Sequence, residues 1–230
     1  MNNDKYPRTY HMPFSPGATS DDKMLTENWF DDYKGKEVVV TEKLDGENTL
    51  FSVQDVYARS HGAPTRSDWS RNLWDVSGGL YWRIKSLIGP DEMIFGENLY
   101  AEHSIHYDEL PDFWFMFAVR NDDRWYSWDE VEEMSELLGV RHVPVIYRGI
   151  AESESQIKKL IDVTMKEPSA YGDKKEGVVM RIADSFPIEE NGQKSFPFHV
   201  CKYVRANHVQ TDAHWTRNWK KAKLITDIYG

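Results

Sequence analysis

The apolar residues of this chain come in short runs, none long enough for more than one strand. The longest unbroken run is Phe113–Val119, FWFMFAV, far short of a bilayer span. Most runs are rich in Val, Ile, Phe and Trp and are bounded by turn residues, the pattern of strands in a sheet protein. Glu37–Glu42 (EVVVTE) reads as a strand and Asp45-Gly46 as the turn after it. Asn48–Val53 with Val56–Arg59 reads as a hairpin. Met93–Leu99, Trp114–Arg120, Val143–Tyr147, Gly177–Ile182 and Phe198–Arg205 read as further strands. Helical spacing predicts a short helix near Lys23–Tyr33, two helices within 67–88 broken at Gly78-Gly79, and helices at Trp128–Leu138 and Ser153–Lys166. Gly139 would close the third of these segments and Pro168 the last. Strands outnumber helices and mostly form hairpins, which predicts an α+β fold of antiparallel sheets flanked by helices.

The 230 residues suffice for one domain with a sizeable core, and 40% apolar with 13% aromatic residues argues a folded chain. The polar, turn-rich start (Pro7, Pro13, Pro16, Gly17) predicts an N-terminal arm over 1–35, a domain over 36–205 and a basic extension, 206–230, packed on that domain. A single cysteine excludes an internal disulfide framework and a multi-cysteine zinc site. The opening MNNDKYPRTYHMPFSPG lacks the apolar core of a signal peptide. The expectation is a cytoplasmic chain with no membrane contact.

A net charge of −10 argues at first against a nucleic-acid partner. The charge is unevenly spread, however. Residues 101–136 hold eleven acids and two bases, whereas 199–223 hold six bases and one acid. In the basic stretch His208, His214, Trp215 and Trp219 stand among the cations, a mixture suited to phosphates and stackable bases. A solvated basic helix end is the plain alternative.

Lys43-Leu44-Asp45-Gly46 places a lysine at a sheet edge, beside a glycine that a ligand can approach closely. Alone it is weak evidence, since a surface turn with a solvated lysine looks the same. Its company strengthens it. Arg59-Ser60, Phe95-Gly96-Glu97, Phe115-Met116-Phe117, Glu176-Gly177-Val178-Val179 and Lys202 each fall at or beside a strand. Core-like strands usually exclude charge, so these point to a shared polar cleft between sheets.

In this order and spacing the segments resemble the covalent-lysine nucleotidyltransferases, the superfamily of ATP-dependent ligases and capping enzymes. Thr41–Thr49 (TEKLDGENT) most resembles the RNA ligases, especially the nick-sealing type, and the likeness runs from about Val38 to Arg205. The resemblance implies a nucleotidyltransferase domain of ATP-grasp-like ligase type. It implies that Lys43 attacks the α-phosphate of ATP, giving lysyl-AMP and pyrophosphate. AMP would pass to the 5′-phosphate end of a nicked or broken RNA, and a 3′-hydroxyl would displace it in RNA repair. Lys202 would grip the α-phosphate and help depress Lys43, because the attack needs a neutral amine. Glu42 would read the adenine amino group, Glu97 would bond the ribose hydroxyls and Phe117 would stack on the base. Arg59 would lie near the nucleotide or the reacting phosphate. Glu176 would help hold Mg2+, directly or through water, with Mn2+ as an alternative ion. Arg205, Arg217, Lys220, Lys221 and Lys223 would contact the RNA, or a DNA strand in its place.

The sequence departs from the family pattern twice. Nick-sealing ligases usually carry two lysines one residue apart in the last segment, whereas His199-Val200-Cys201-Lys202 has Val200 at the first place. Lys202 would then act alone, or Arg205 or a tail cation would substitute. The chain also ends 28 residues after Lys202, too few for the OB domain of DNA ligases and capping enzymes or the helical domain of larger RNA ligases. The expectation is a minimal catalytic domain, with a protein partner as one source of the missing part. A small DNA ligase and a guanylyltransferase keep the fold, but the lack of an OB domain argues against both. A non-catalytic nucleic-acid-binding module would need no nucleophile, and a Schiff-base lysine enzyme would leave Glu97 and Glu176 without a task. His103 and His106, beside Glu102 and Asp108, lack the spacing of a zinc site. Cys201 should face away from Lys202 as a buried thiol. No Walker-type loop occurs, so side chains rather than a P-loop would hold ATP.

Overall fold

The computed structural model describes residues 5–59, 62–77, 79–207 and 219–229. The strands are β1 (Tyr10–His11), β2 (Glu37–Lys43), β3 (Glu47–Phe51), β4 (Val56–Ala58), β5 (Met93–Asn98), β6 (Trp114–Arg120), β7 (Arg124–Trp125), β8 (Arg141–His142), β9 (Val145–Ile150), β10 (Gly177–Ile182), β11 (Phe186–Pro187), β12 (Glu189–Glu190), β13 (Gln193–Lys194) and β14 (Val200–Val204). The helices are α1 (Arg71–Trp74), α2 (Leu80–Lys85), α3 (Trp128–Leu138), α4 (Glu154–Thr164) and α5 (Ile225–Tyr229). Short 3-10 turns occur at Trp29–Asp32, Asp68–Ser70 and Phe196–Phe198.

Two sheets carry the fold. One has the order β1-β14-β10-β2-β9; the other runs β11-β7-β6-β5-β3-β4, with β8 beside β6. Their pairs are antiparallel except β1 with β14 and β6 with β8. This is the α+β architecture of antiparallel sheets and flanking helices expected from the sequence. β2 ends in the first sheet at Lys43 and β3 opens in the second at Glu47. The chain therefore crosses between the sheets in residues 44–46, directly after the candidate nucleophile.

Local chemistry explains the long helices. Ser127 and Glu130 form a reciprocal capping box at the start of α3, satisfying two of its free N–H groups. Gly139 ends that helix in the left-handed conformation, φ 59°, which costs glycine least. Trp128, Val131, Ser135 and Leu138 form its buried stripe, and Ile157, Ile161 and Thr164 that of α4. The helix expected near Lys23–Tyr33 is reduced to the 3-10 turn at Trp29–Asp32. His11 N–H donates to Lys23 O and Leu25 N–H to His11 O, so tertiary pairing consumes the backbone a helix would need. The strand expected at Val143–Tyr147 starts two residues later as β9, and the last strand is preceded by the Phe196–Phe198 turn. Among the described residues no helix is long and apolar enough to cross a membrane.

Candidate active site

Strand register gathers the cations. Gly177 of β10 stands opposite Lys43 and Val204, while Val179 stands opposite Thr41 and Lys202. Residues two apart share a face, so Lys43 and Lys202 project from the same side of the first sheet. Gly177 is required by this approach: a Cβ there would lie 2.0 Å from Tyr203 O. Between the sheets lies a cleft of about 1060 Å³, lined by Lys43, Val179, Arg181 and Lys202 on one side and by Glu97 and Phe117 on the other. That volume is at the upper end of small-ligand sites, which span roughly 300–1000 Å³.

The second sheet is shaped to present Phe117. β5 and β6 pair Phe95 with Ala118 but Gly96 with Met116, leaving Phe117 as the extra residue of a bulge. Gly96 permits the underlying packing, because a Cβ would lie 2.2 Å from the Trp114 ring. Phe117 lies half-buried in the cleft, its ring 5.0 Å from that of Tyr6 and nearly perpendicular to it. Arg59 is exposed at the cleft mouth, its N–H bonded to Asn48 O.

Lys43 and Glu176 form the central contact: Nζ lies 2.7 Å from Oε2, with the lysine side chain 25% and the glutamate 3% exposed. Burial pulls the Lys43 ammonium down, but Glu176, Glu97 and Asp45 outweigh it and hold its pKa above the ordinary value. The side chains around Lys43 therefore do not by themselves produce the depression expected from the sequence. The amine lowered there is Lys202, brought to about 8 by burial and then by the Lys43 charge. Glu97 is pushed up to about 8 by burial, against the pull of Lys43, and its Oε1 accepts Gly46 N–H at 3.1 Å. The hard carboxylate oxygens beside Lys43 are of the kind that suit a divalent cation such as Mg2+ or Mn2+. Among the described residues no ready-made group of three or more His, Cys, Asp or Glu side chains is set to hold a metal. Of the cleft carboxylates, Glu176, in contact with Lys43, is the one that could supply an oxygen to such an ion.

Some expected residues stand elsewhere. Glu42 pairs with Val178 rather than Val179, so its side chain lies on the face opposite Lys43. Its carboxylate accepts from Ser169 Oγ and, at 2.9 Å, from Ala170 N–H. That carboxylate is therefore tied to the 169–170 loop, while Glu42 still counts among the residues lining the cleft. Arg205 donates its backbone N–H to Glu176 O and does not line the cleft. Lys220, Lys221 and Lys223 line a separate hollow with Glu102 and Asp108, and Arg217 lies outside the described residues. Cys201 is fully buried, with burial pushing its thiol up to about 12.

Three residues have roles that the sequence reading did not assign. Asp45 Oδ2 accepts from Ser104 N–H, Ser104 Oγ and Ile105 N–H at 2.9, 2.7 and 2.9 Å, fastening the nucleophile turn to that loop. Arg181 faces the cleft beside Val200, its cross-strand partner, where the expected first lysine is missing. Its place two residues beyond Val179 was a readable signal. Tyr6, on the arm, packs its ring within 5.0–5.6 Å of Phe95, Phe117, Trp125 and Phe196, and no local pattern announces it.

The family model for RNA ligase matches residues 36–204. Among curated proteins none matches the chain. Solved structures share its fold. An archaeal ATP-dependent RNA ligase is 17% identical with a TM-score of 0.54, covering 87% of this chain and 48% of its own. A Naegleria gruberi RNA ligase mutant with ATP and Mn is 17% identical with a TM-score of 0.54, covering 88% and 61%. A protein of Aquifex aeolicus named as a candidate ATP-dependent DNA ligase is 22% identical with a TM-score of 0.51, covering 87% and 50%. The match thus takes in about half to three-fifths of the length of these structures.

Proposed function

Because the chain belongs to the RNA ligase family, we propose that its cleft joins RNA ends through a covalent lysyl-AMP, with residues 36–205 doing the chemistry. The observation that carries this reading is Lys43, held on the cleft floor against Glu176 at 2.7 Å and sharing a face with Lys202. Lys43 Nζ attacks the α-phosphorus of ATP, the bond to the bridging oxygen breaks, and pyrophosphate leaves. The ammonium gives up one proton before the attack and a second after it, leaving a phosphoramidate with an uncharged nitrogen and one anionic oxygen on phosphorus. Lys202 grips the α-phosphate and balances the charge that grows in the transition state. Phe117 offers a face to the base, Glu97 an acceptor to the ribose, and Arg59 a cation at the mouth. A bound Mg2+ or Mn2+ would neutralise phosphate charge and draw on Glu176, relieving the carboxylate that keeps Lys43 protonated. AMP then moves to an RNA 5′-phosphate, and a 3′-hydroxyl displaces it to seal the strand.

The test is to incubate the protein with α-labelled ATP and Mg2+, denature it, and look for label on the chain. Label should appear, and Lys43→Ala should remove it. An adduct that survives the substitution, or labelling by GTP in place of ATP, would overturn the reading. Sealing of matched RNA and DNA nicks then distinguishes the RNA from the DNA substrate.

A further inference from the structure

The family match begins at residue 36, yet the arm before it is built into the cleft. β1 is zipped to β14 so that His11 stands opposite Lys202, and Met12 N–H donates to Lys202 O at 2.8 Å. The chain then doubles back and brings Asp22 to the same lysine. Asp22 Oδ2 is pinned by the N–H and the hydroxyl of Thr19, both at 3.0 Å. That leaves Oδ1 at 3.5 Å from His11 Nε2 and 3.9 Å from Lys202 Nζ. His11 is fully buried and its Nδ1 is 2.8 Å from Ser15 Oγ. Burial and the Lys202 charge lower its pKa to about 4, so it stays neutral and adds no positive charge beside the lysine.

Lysine is a point charge on a flexible stem, and its direction has to be imposed by neighbours. At 3.9 Å the Asp22–Lys202 pair is too long for a hydrogen bond. It can attract the ammonium toward the cleft wall and still leave its N–H groups for a phosphate. We propose that Asp22 is a positioning residue: held by Thr19, it aims the Lys202 ammonium at the α-phosphate of the bound nucleotide. The arm is then part of the nucleotide site, although the family-matched segment excludes it. This rests on the reading of Lys202 as the phosphate cation.

A double-mutant cycle over wild type, Asp22→Asn, Lys202→Met and the pair tests it, with two readouts. One is KM for ATP and maximal rate of self-labelling; the other is the rise in melting temperature caused by ATP. Asp22→Asn should lower self-labelling at limiting ATP roughly tenfold, through both a higher KM and a lower maximal rate, and Asp22→Glu should recover most of the loss. In the Lys202→Met background Asp22→Asn should add less than about twofold. An equal effect in both backgrounds would show a merely structural role, and tighter ATP binding by Asp22→Asn would show a competitor of phosphate; either overturns the proposal. Should Asp22→Asn fail to fold, Thr19→Val releases the carboxylate without removing it and must give the same non-additive pattern. If wild type takes no label, the ligase reading falls, and the ATP-induced melting shift still decides the Asp22–Lys202 coupling.

Discussion

At Arg148, on the outer strand β9, one guanidinium meets two carboxylates: Nη1 lies 2.5 Å from Asp129 and Nη2 3.2 Å from Glu37. Arg124 is matched in the same way, with both nitrogens on Glu130 at 2.7 and 2.6 Å. These solvent-facing pairs, the Arg124 one half-buried, favour the charged forms: the Arg124 bonds help draw Glu130 down to about 2, and the Arg148 bond lowers Asp129. In the cleft the opposite happens. Burial drives Glu97 up to about 8 and Lys202 down to about 8, toward neutrality. Rim charges have found their partners, whereas Glu97 and Lys202 in the cleft are desolvated beyond what their protein neighbours offset. Buried ionisable groups perturbed in this way concentrate at functional sites. The difference is therefore itself a locator of the site.

The largest effect separates the two regions by activity. Lys43→Met should abolish self-labelling, a loss of 10³-fold or more on the usual scale of nucleophile removal. Arg148→Ala should leave the labelling rate within about twofold. A comparable loss from Arg148→Ala would erase the distinction between cleft and rim.

The next effect reads the cleft charges through stability. Glu97 has a folded pKa of about 8 against an ordinary 4.5, so the native state keeps its proton longer than the unfolded chain. The stability this confers is full below about pH 4.5 and is lost as pH rises through about 8. Lys202, lowered from 10.5 to about 8, acts in the other direction, its penalty fading only between about pH 8 and 10.5. From pH 5 to 8 the Glu97 effect stands alone of the two. Glu97→Gln should flatten the fall in melting temperature of the nucleotide-free protein over that range. Parallel curves for variant and wild type would mean that the carboxyl is solvated in the folded state. On the rim, Arg148→Ala should cost about 1 kcal/mol or less in denaturant unfolding, because exposed pairs pay for their own ordering.

What could be read in the sequence follows from how local each signal is. β2 was legible because EVVVTEK is β-branched and needs no partner to be recognised, and α3 because its capping box and terminal glycine lie within one helix. Lys43 and Glu176 could be singled out separately, but their 2.7 Å contact depends on the Gly177–Lys43 register between strands far apart in the chain. Glu42 shows the limit of adjacency: next to Lys43 in sequence, it faces the other way by strand alternation. Asp22 and Tyr6 reach the cleft only because β1 pairs with β14, a parallel contact that no turn or periodicity foreshadows.

The smallest effect concerns the basic C-terminal stretch, where a raw count of cations misleads. Lys221 holds its ammonium 5.5 Å from the Tyr100 ring centroid and 5.3 Å from that of Phe113, and its backbone bridges to Ala101. With Lys220 and Lys223 it borders a hollow that also contains Glu102 and Asp108. Neighbouring acids repel the phosphates that the lysines attract, so the three should count for less than three contacts. Each phosphate contact contributes about 0.7–0.9 to the slope of log affinity against log salt. Replacing Lys220, Lys221 and Lys223 by Gln should therefore reduce that slope for RNA binding by roughly 1, with stability changed by about 0.5 kcal/mol. Self-labelling should be unaffected, since none of the three lines the cleft. A drop of 2 or more would mean that bound RNA displaces the acids from this hollow, making it a second place where charge waits for a ligand. An unchanged slope would assign it to the matched charges of the rim.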